Sequence, residues 1–244
     1  MRALSAMELL HAWERASALP PVDSALALLE AADDQAEDDP AQYPLGERDA
    51  RLMSLRESVF GREARAIVRC PACAADLEVG FDLADLRATV AGCAADGLTF
   101  SVQGYEGRFR LPNSTDLRAL SPLSGDPSAA RRQLLARCVV DARCDGETVG
   151  ADALPEAVRE AISRRMTEAD PQAFAALRLG CDQCGNQWQE DFHIDSFFLA
   201  ELRAWATRLL HEVHQLACAY GWSEAQILEL SPLRRNLYLN LVAE

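Results

Sequence analysis

Two short stretches, Cys70-Pro71-Ala72-Cys73 and Cys181-Asp182-Gln183-Cys184, hold the residues most capable of chemistry in this chain. A C-x-x-C turn aims two sulfurs at one point, and amide N–H groups within the turn stabilise the thiolates. Neither pair alone closes a structural metal site, which takes four ligands, but the two together make a tetrahedral four-thiolate set. Their flanks match as well: each knuckle leads from an apolar residue into an alternating segment, DLEVGFDL in one case and QWQEDFHI in the other. Cys70, Cys73, Cys181 and Cys184 are therefore the expected metal ligands. Zinc is the expected cofactor, because four thiolates also accept iron but a structural setting favours zinc.

The spacing sets a condition on the fold. From Cys73 to Cys181 is 108 positions, far more than the roughly 15 to 20 residues of an ordinary ribbon loop. The intervening chain must be an insertion into the ribbon, or the ribbon must clasp it. Closing so long a loop costs only a few kcal/mol because the penalty grows logarithmically, whereas structural zinc supplies on the order of 10 kcal/mol or more. Two other readings stand beside the metal: a thiol redox site, and two unrelated structural pairs. A redox C-x-x-C belongs at a helix N-terminus, and both of these fall between strands. Cys93, Cys138, Cys144 and Cys218 lack such company and read as small buried hydrophobes.

No enzyme emerges from the other motifs. His211-Glu212-Val213-His214-Gln215 misses the zinc-protease pattern, since its second His is at i+3 and Gln215 stands where the ligand belongs. There is no P-loop, no G-x-G-x-x-G and no G-x-S-x-G elbow. The net charge of −14 and pI near 4.7 repel a phosphate backbone, so nucleic acid is not an expected partner. All 24 basic residues are Arg, a bias in keeping with a GC-rich genome. No apolar run approaches the roughly 20 residues of a membrane span, and Glu8, His11 and Glu14 interrupt any secretory core. Neither a membrane nor a small-molecule substrate is expected, and the location is read as cytoplasmic. Eight cysteines in such a setting point to metal or free thiols rather than disulfides.

The elements that must place the knuckles can be read from periodicity. Helices are expected at 6–18 and 23–32, divided by Leu19-Pro20-Pro21, followed by an acidic linker, ADDQAEDDPAQYP. A helix at 46–60 carries Leu52, Leu55, Val59 and Phe60 on one face. The first strand–knuckle–strand follows, then a hairpin at 98–111 whose turn lies in Gly104 to Gly107. Helices are expected at 127–145 and 152–169, and strand–knuckle–strand returns over 174–194. The remainder reads as helices at 195–220, 223–230 and 232–243. The fold class is α+β, mostly helical, with a small β zinc-ribbon-like element and a C-terminal helical module. The expected division is an N-terminal helical arm and acidic linker (1–40), a zinc-ribbon-like domain (41–194) with a long α/β insertion at about 85–175, and the C-terminal module (195–244).

In that last module Phe198, Leu202, Trp205, Leu209, Val213 and Leu216 recur at helical spacing. In the final helix Arg234 and Arg235 are placed outside, with Leu237, Tyr238 and Leu241 inside. Tyr220, Trp222, Arg234, Arg235 and Tyr238 are of the types enriched in binding hot spots and are the candidate partner-binding residues.

The ordered set LGERDARLMSLRESVFG, CPAC, RFRLPNSTDL, ARRQLLARCV, DPQAF, CDQCG and LLHEVHQLACAYGWSEAQILELSPLRRNLYL resembles the T4-type phage baseplate protein family, as it occurs in gene clusters for contractile, phage-tail-like injection systems. The resemblance covers roughly residues 45–244. The YGWSEAQIL…SPLRRNLYL tail and the paired knuckles are its most specific parts, and Cys181-Asp182-Gln183-Cys184 departs from its partner knuckle in lacking the Pro. It implies a non-enzymatic structural or assembly component of the baseplate or hub. Its partners would then be other baseplate and tail proteins, met in the cytoplasm during assembly, with the finished particle as a further location. The alternative from another class is a zinc-ribbon regulatory adaptor that binds transcription or translation machinery.

Overall fold

Helix α1 (Ala6–Ser17) starts at Ser5, whose hydroxyl accepts from the Glu8 amide while Glu8 reaches back to the Ser5 amide, a reciprocal cap. After the Leu19-Pro20 break comes α2 (Pro21–Ala32), where buried Ser24 donates its hydroxyl to Ala16 O at 2.6 Å and ties the two helices together. A computed structural model describes residues 4–32, 39–88, 98–123 and 125–243 of the chain. Cys93 and the acidic run 33–38 lie outside them.

The chain divides into two compact units, residues 1–35 with 194–244 and residues 36–193. The first unit holds α1 and α2 together with α7 (Ile194–Tyr220), α8 (Glu224–Leu228) and α9 (Pro232–Ala243). The N-terminal helices, read from the sequence as an arm of their own, thus share a unit with the C-terminal helices. Leu10 of α1 lies in one apolar cluster with Leu209, Val213 and Leu216 of α7 and Ile227 and Leu228 of α8. The helical spacing read in α7 holds for Phe198, Leu202, Leu209, Val213 and Leu216, which are all buried, while Trp205 is partly buried against the apolar cluster.

The second unit opens with α3 (Leu45–Phe60), which buries Leu52, Met53 and Leu55. Buried Arg56 turns back from this helix and donates to Gly61 O and Glu63 O, fixing the entry into the first hairpin. Strands β1 (Glu63–Arg69) and β2 (Asp76–Asp82) pair antiparallel from Glu63↔Asp82 to Arg69↔Asp76, with the first knuckle at their tip. Then comes a four-stranded antiparallel sheet, β3 (Leu98–Val102), β4 (Tyr105–Phe109), β5 (Val139–Cys144) and β6 (Glu147–Thr148), in sequential order. Helices α4 (Ser114–Leu120), α5 (Pro127–Cys138) and α6 (Glu156–Ala169) accompany it. Phe100, Phe109, Leu135, Cys138, Val158 and Ile162 are the heart of its core. Strands β7 (Ala176–Gly180) and β8 (Gln187–Asp191) form the second hairpin, with the second knuckle at its tip.

Two local expectations are corrected. The helix expected over 127–145 stops at Cys138, and Val139–Cys144 is strand β5, paired with β4. The β-branched pair Val139-Val140 suits a pleated edge better than a helix. In α9 the expected faces hold for exposed Arg234 and for Tyr238, which packs against the apolar cluster, but Arg235 is 5% exposed, while Leu237 and Leu241 are 56% and 60% exposed. The guanidinium of Arg235 meets Glu212 of α7 at 3.0 Å and Leu230 O at 2.8 Å, and that pair fixes the rotation of the helix.

Candidate metal centre

The two knuckles have the same backbone. In the first, the Cys70 amide donates to Ala75 O and the Ala74 amide to Cys70 O, both at 2.9 Å; in the second, the Cys181 amide donates to Asn186 O and the Gly185 amide to Cys181 O, both at 2.8 Å. The residue four beyond each first cysteine is left-handed, with φ +58° at Ala74 and +72° at Gly185. That conformation turns the chain sharply enough for both sulfurs of a knuckle to point the same way.

The hairpins are also held at the end opposite their tips. Phe81, at the end of β2, meets Phe192, just past β8, edge to face at 5.5 Å. Buried Gln172, just before β7, accepts from the Ala88 amide at 2.8 Å and donates to Leu86 O at 3.3 Å, so the segment leaving the first hairpin is pinned to the segment entering the second. Its neighbour Asp170 accepts from the Gly46 amide at 2.8 Å, anchoring the same region to the start of α3. These long-range clamps bring the two ribbons together across the insertion.

At the tips the four sulfurs converge. Cys70 Sγ lies 3.7 Å from Cys184 Sγ, Cys73 Sγ lies 3.7 Å from Cys181 Sγ, and all four fall within 4.8 Å of one another. A tetrahedron with metal–sulfur bonds of about 2.3 Å has sulfur–sulfur edges of about 3.75 Å, so the set has the size of such a site. The 3.7 Å contacts run between knuckles rather than within one, which is the pattern of shared ligation and not of a C-x-x-C redox pair. Among the described residues these four are the only group of three or more potential ligands gathered in this way.

Cys70 and Cys181 are buried, and Cys73 and Cys184 face outward. Leu77 of β2 shares a buried cluster with Cys70 and Cys181, and Val79 and Trp188 pack against it, a small apolar patch beside the inner pair. Burial pushes the Cys70 thiol up, but the amides of Cys73 and Ala72 and the Cys73 and Cys184 thiols outweigh it and bring it down to about 7. For Cys73 the Ala75 amide lowers the thiol, yet the sulfur of Cys184, burial and the other two sulfurs carry it up to about 12. Cys184 is raised as well: amide donation from Asn186 and the Cys73 thiol lower it, but burial and the Cys181 and Cys70 sulfurs prevail. Four sulfurs this close cannot all ionise unless a cation shares their charge. The donor set therefore fits a soft divalent metal.

The remaining chemistry-bearing residues are not gathered. Cys138 is buried, and burial followed by the carboxylate of Asp116 lifts its thiol to about 12. Cys144 is half-buried and Cys218 is exposed, contrary to the expectation that all these cysteines are core. His211 Nδ1 lies 2.7 Å from Thr207 O, and His214 neighbours Cys218 at 3.9 Å. Of the candidate partner-binding residues, Tyr220 stacks on Trp222 with ring centroids 4.7 Å apart, and Tyr238 meets both edge to face at 5.7 and 4.9 Å. Arg234 is exposed beside them in sequence, whereas Arg235 is engaged inside its own unit.

The family described as T4 bacteriophage base plate protein matches residues 23–199, which include both hairpins and everything between them. The chain belongs to the T4 bacteriophage base plate protein family. No curated protein and no solved structure matches it. For this base plate protein the family match contains all four converging cysteines and ends inside α7. Of the two most specific parts of the resemblance, the paired knuckles lie inside the match and the YGWSEAQIL…SPLRRNLYL tail lies beyond it. Among the described residues of the base plate protein, no helix is long and apolar enough to cross a membrane. The clamps Asp170 and Gln172 were missed in the sequence. Their signal was faint: a single Asp-Pro-Gln run just before the second ribbon.

Proposed function

We propose that this chain is a non-enzymatic structural or assembly component of the baseplate or hub of a contractile, phage-tail-like injection system. Its second unit is clasped by one zinc ion held by Cys70, Cys73, Cys181 and Cys184. The observation that carries the reading is the convergence of the four sulfurs inside the family-matched region. Four thiolates fill a tetrahedral site, so the metal they hold has no open position for substrate and its contribution is to the fold. The resident partners are other baseplate and tail proteins, met in the cytoplasm during assembly, with the aromatic cluster of Tyr220, Trp222 and Tyr238 and neighbouring Arg234 as part of the contact surface.

The test is co-expression with the sheath, tube and spike proteins of a contractile, phage-tail-like system, followed by purification through a tag on this chain. Recovery of at least one tail protein in fixed ratio, with one zinc per chain, is the expected result. Recovery of polymerase or ribosomal proteins and no tail protein would favour the regulatory adaptor and overturn this reading.

A further inference from the structure

Helix α9 presents Leu233, Leu237 and Leu241 to solvent at 71%, 56% and 60% exposure. At about 100° per residue these positions fall within an arc of about 80°, so they form one stripe along the helix. A stripe of three exposed leucines is not what a solvated helix face carries. Its orientation is not loose, because Arg235, on the opposite side, is buried and bound to Glu212 and to Leu230 O. Rotating the stripe inward would expose the apolar contacts of Tyr238 and Leu239 and leave Glu212 buried in part without its cation. The fold holds these leucines out.

The border of the stripe says what covers it. Helix α9, PLRRNLYLNLVA, has no acidic residue in a chain with 38 Asp and Glu. Exposed Arg234, Asn236 and Asn240 flank the leucines. Among the described residues, none makes a hydrogen bond or ion pair with the Arg234 side chain. A second copy packed through the same face would bring another Arg234 and no carboxylate from α9 to pair with it. The complement is an amphipathic helix that offers apolar side chains at i, i+3 or i+4 and i+7, flanked by Asp or Glu that can pair with Arg234. We infer that the Leu233–Leu237–Leu241 face of α9 is a docking site for an acidic-flanked amphipathic helix of another protein. The inference rests on the baseplate reading only in taking that protein to be a tail component.

Two labelled helical peptides test it, identical in a leucine stripe but flanked by Glu in one and by Arg in the other, with binding followed by fluorescence anisotropy. The full chain binds the Glu-flanked peptide at least tenfold more tightly than its Arg-flanked counterpart. Leu237→Glu, at an exposed position, abolishes binding while circular dichroism stays unchanged, and Arg234→Glu reverses the charge preference. Equal binding of both peptides, binding of neither, or binding indifferent to Leu237→Glu overturns the inference. So does a wild-type dimer in sedimentation that Leu237→Glu dissociates, since the occupant would then be a second copy. If tail proteins co-purify equally with wild type and Leu237→Glu, the face is not the docking site although the baseplate reading stands; peptide binding without tail-protein recovery separates the two in the other direction.

Discussion

Removing the metal from the four-cysteine centre, by a strong chelator or by Cys181→Ser/Cys184→Ser, should loosen the second unit by an amount set mainly by chain entropy. The link between Cys73 and Cys181 closes a span of 108 positions, and a cross-link across about 100 residues removes about 4.7 kcal/mol of denatured-state freedom. The metal's own binding energy is larger, about 10 to 16 kcal/mol at neutral pH, but an unfolded chain still binds metal through one knuckle, so the bond energy is not all lost. What remains beside the tips without metal is the patch of Leu77, Val79 and Trp188, of which only Leu77 is buried. That patch is too small to replace the link. For a unit of this size about 4.7 kcal/mol corresponds to a fall in Tm of roughly 10 to 20 °C. The assay is thermal unfolding by circular dichroism beside elemental analysis of the same samples. Metal-free protein, shown to be so by analysis, whose Tm stays within about 2 °C of the untreated protein (under 1 kcal/mol on that scale) would refute the clasp. A double variant that retains one metal per chain would refute the ligand assignment.

Three further outcomes are expected. Ala74→Gly should raise stability by about 1 kcal/mol, since an L-residue pays roughly 1–2 kcal/mol in the left-handed region and glycine gives back part of that in unfolded-chain entropy; Gly185→Ala, at the equivalent turn, should lower it, and denaturant titration of the metal-loaded proteins reads both. Gly46→Ala should destabilise by about 1–3 kcal/mol or more, because a Cβ at that position would run into the Asp170 carboxylate; an unchanged denaturation midpoint would show that the clamp at α3 is unimportant. Acid should act on two buried carboxylates in opposite senses. Burial pushes the Asp116 carboxyl up, but Arg110, the Asn113 amide and Arg137 outweigh it and hold it below the usual carboxylate value. Its stabilising contribution is present above pH about 4 and is lost as pH falls through the lowered folded value. Asp170 is raised by burial against the Gly46 amide, so it favours the folded state more as pH falls and loses that as pH rises through the raised value. Unfolding free energies from pH 3 to 7 should therefore drop less steeply toward acid in Asp116→Asn than in wild type, and more steeply in Asp170→Asn.

The four-cysteine cluster was legible in the sequence because its evidence is local and doubled: residue type, a two-residue gap and an alternating strand behind each knuckle. What the sequence could not show was how the ribbons meet, since Gln172 and Leu86, or Phe81 and Phe192, are chosen by three-dimensional proximity. The α5–β5 boundary was readable in part, because Asp145-Gly146 is a hairpin dipeptide and Val139-Val140 is β-branched, but the helical pattern of ARRQLLARC ran into it without a break. Helix α9 defeated periodicity for another reason. Leucine and tyrosine lie on nearly every side of it, so the side facing inward was decided by an ion pair between Arg235 and a residue 23 positions earlier.

The separation of the two knuckles also gives the molecule a sense of its own completion. At about 5 to 20 residues per second, the 108 positions from Cys73 to Cys181 take about 5 to 20 s to synthesise. During that interval the first hairpin offers two thiolates and no closed centre. A chain that stops short of Cys181 can never close it. A centre closed by these four sulfurs would thus wait for the whole sheet-and-helix insertion, and would separate chains that reach Cys184 from chains cut short before it.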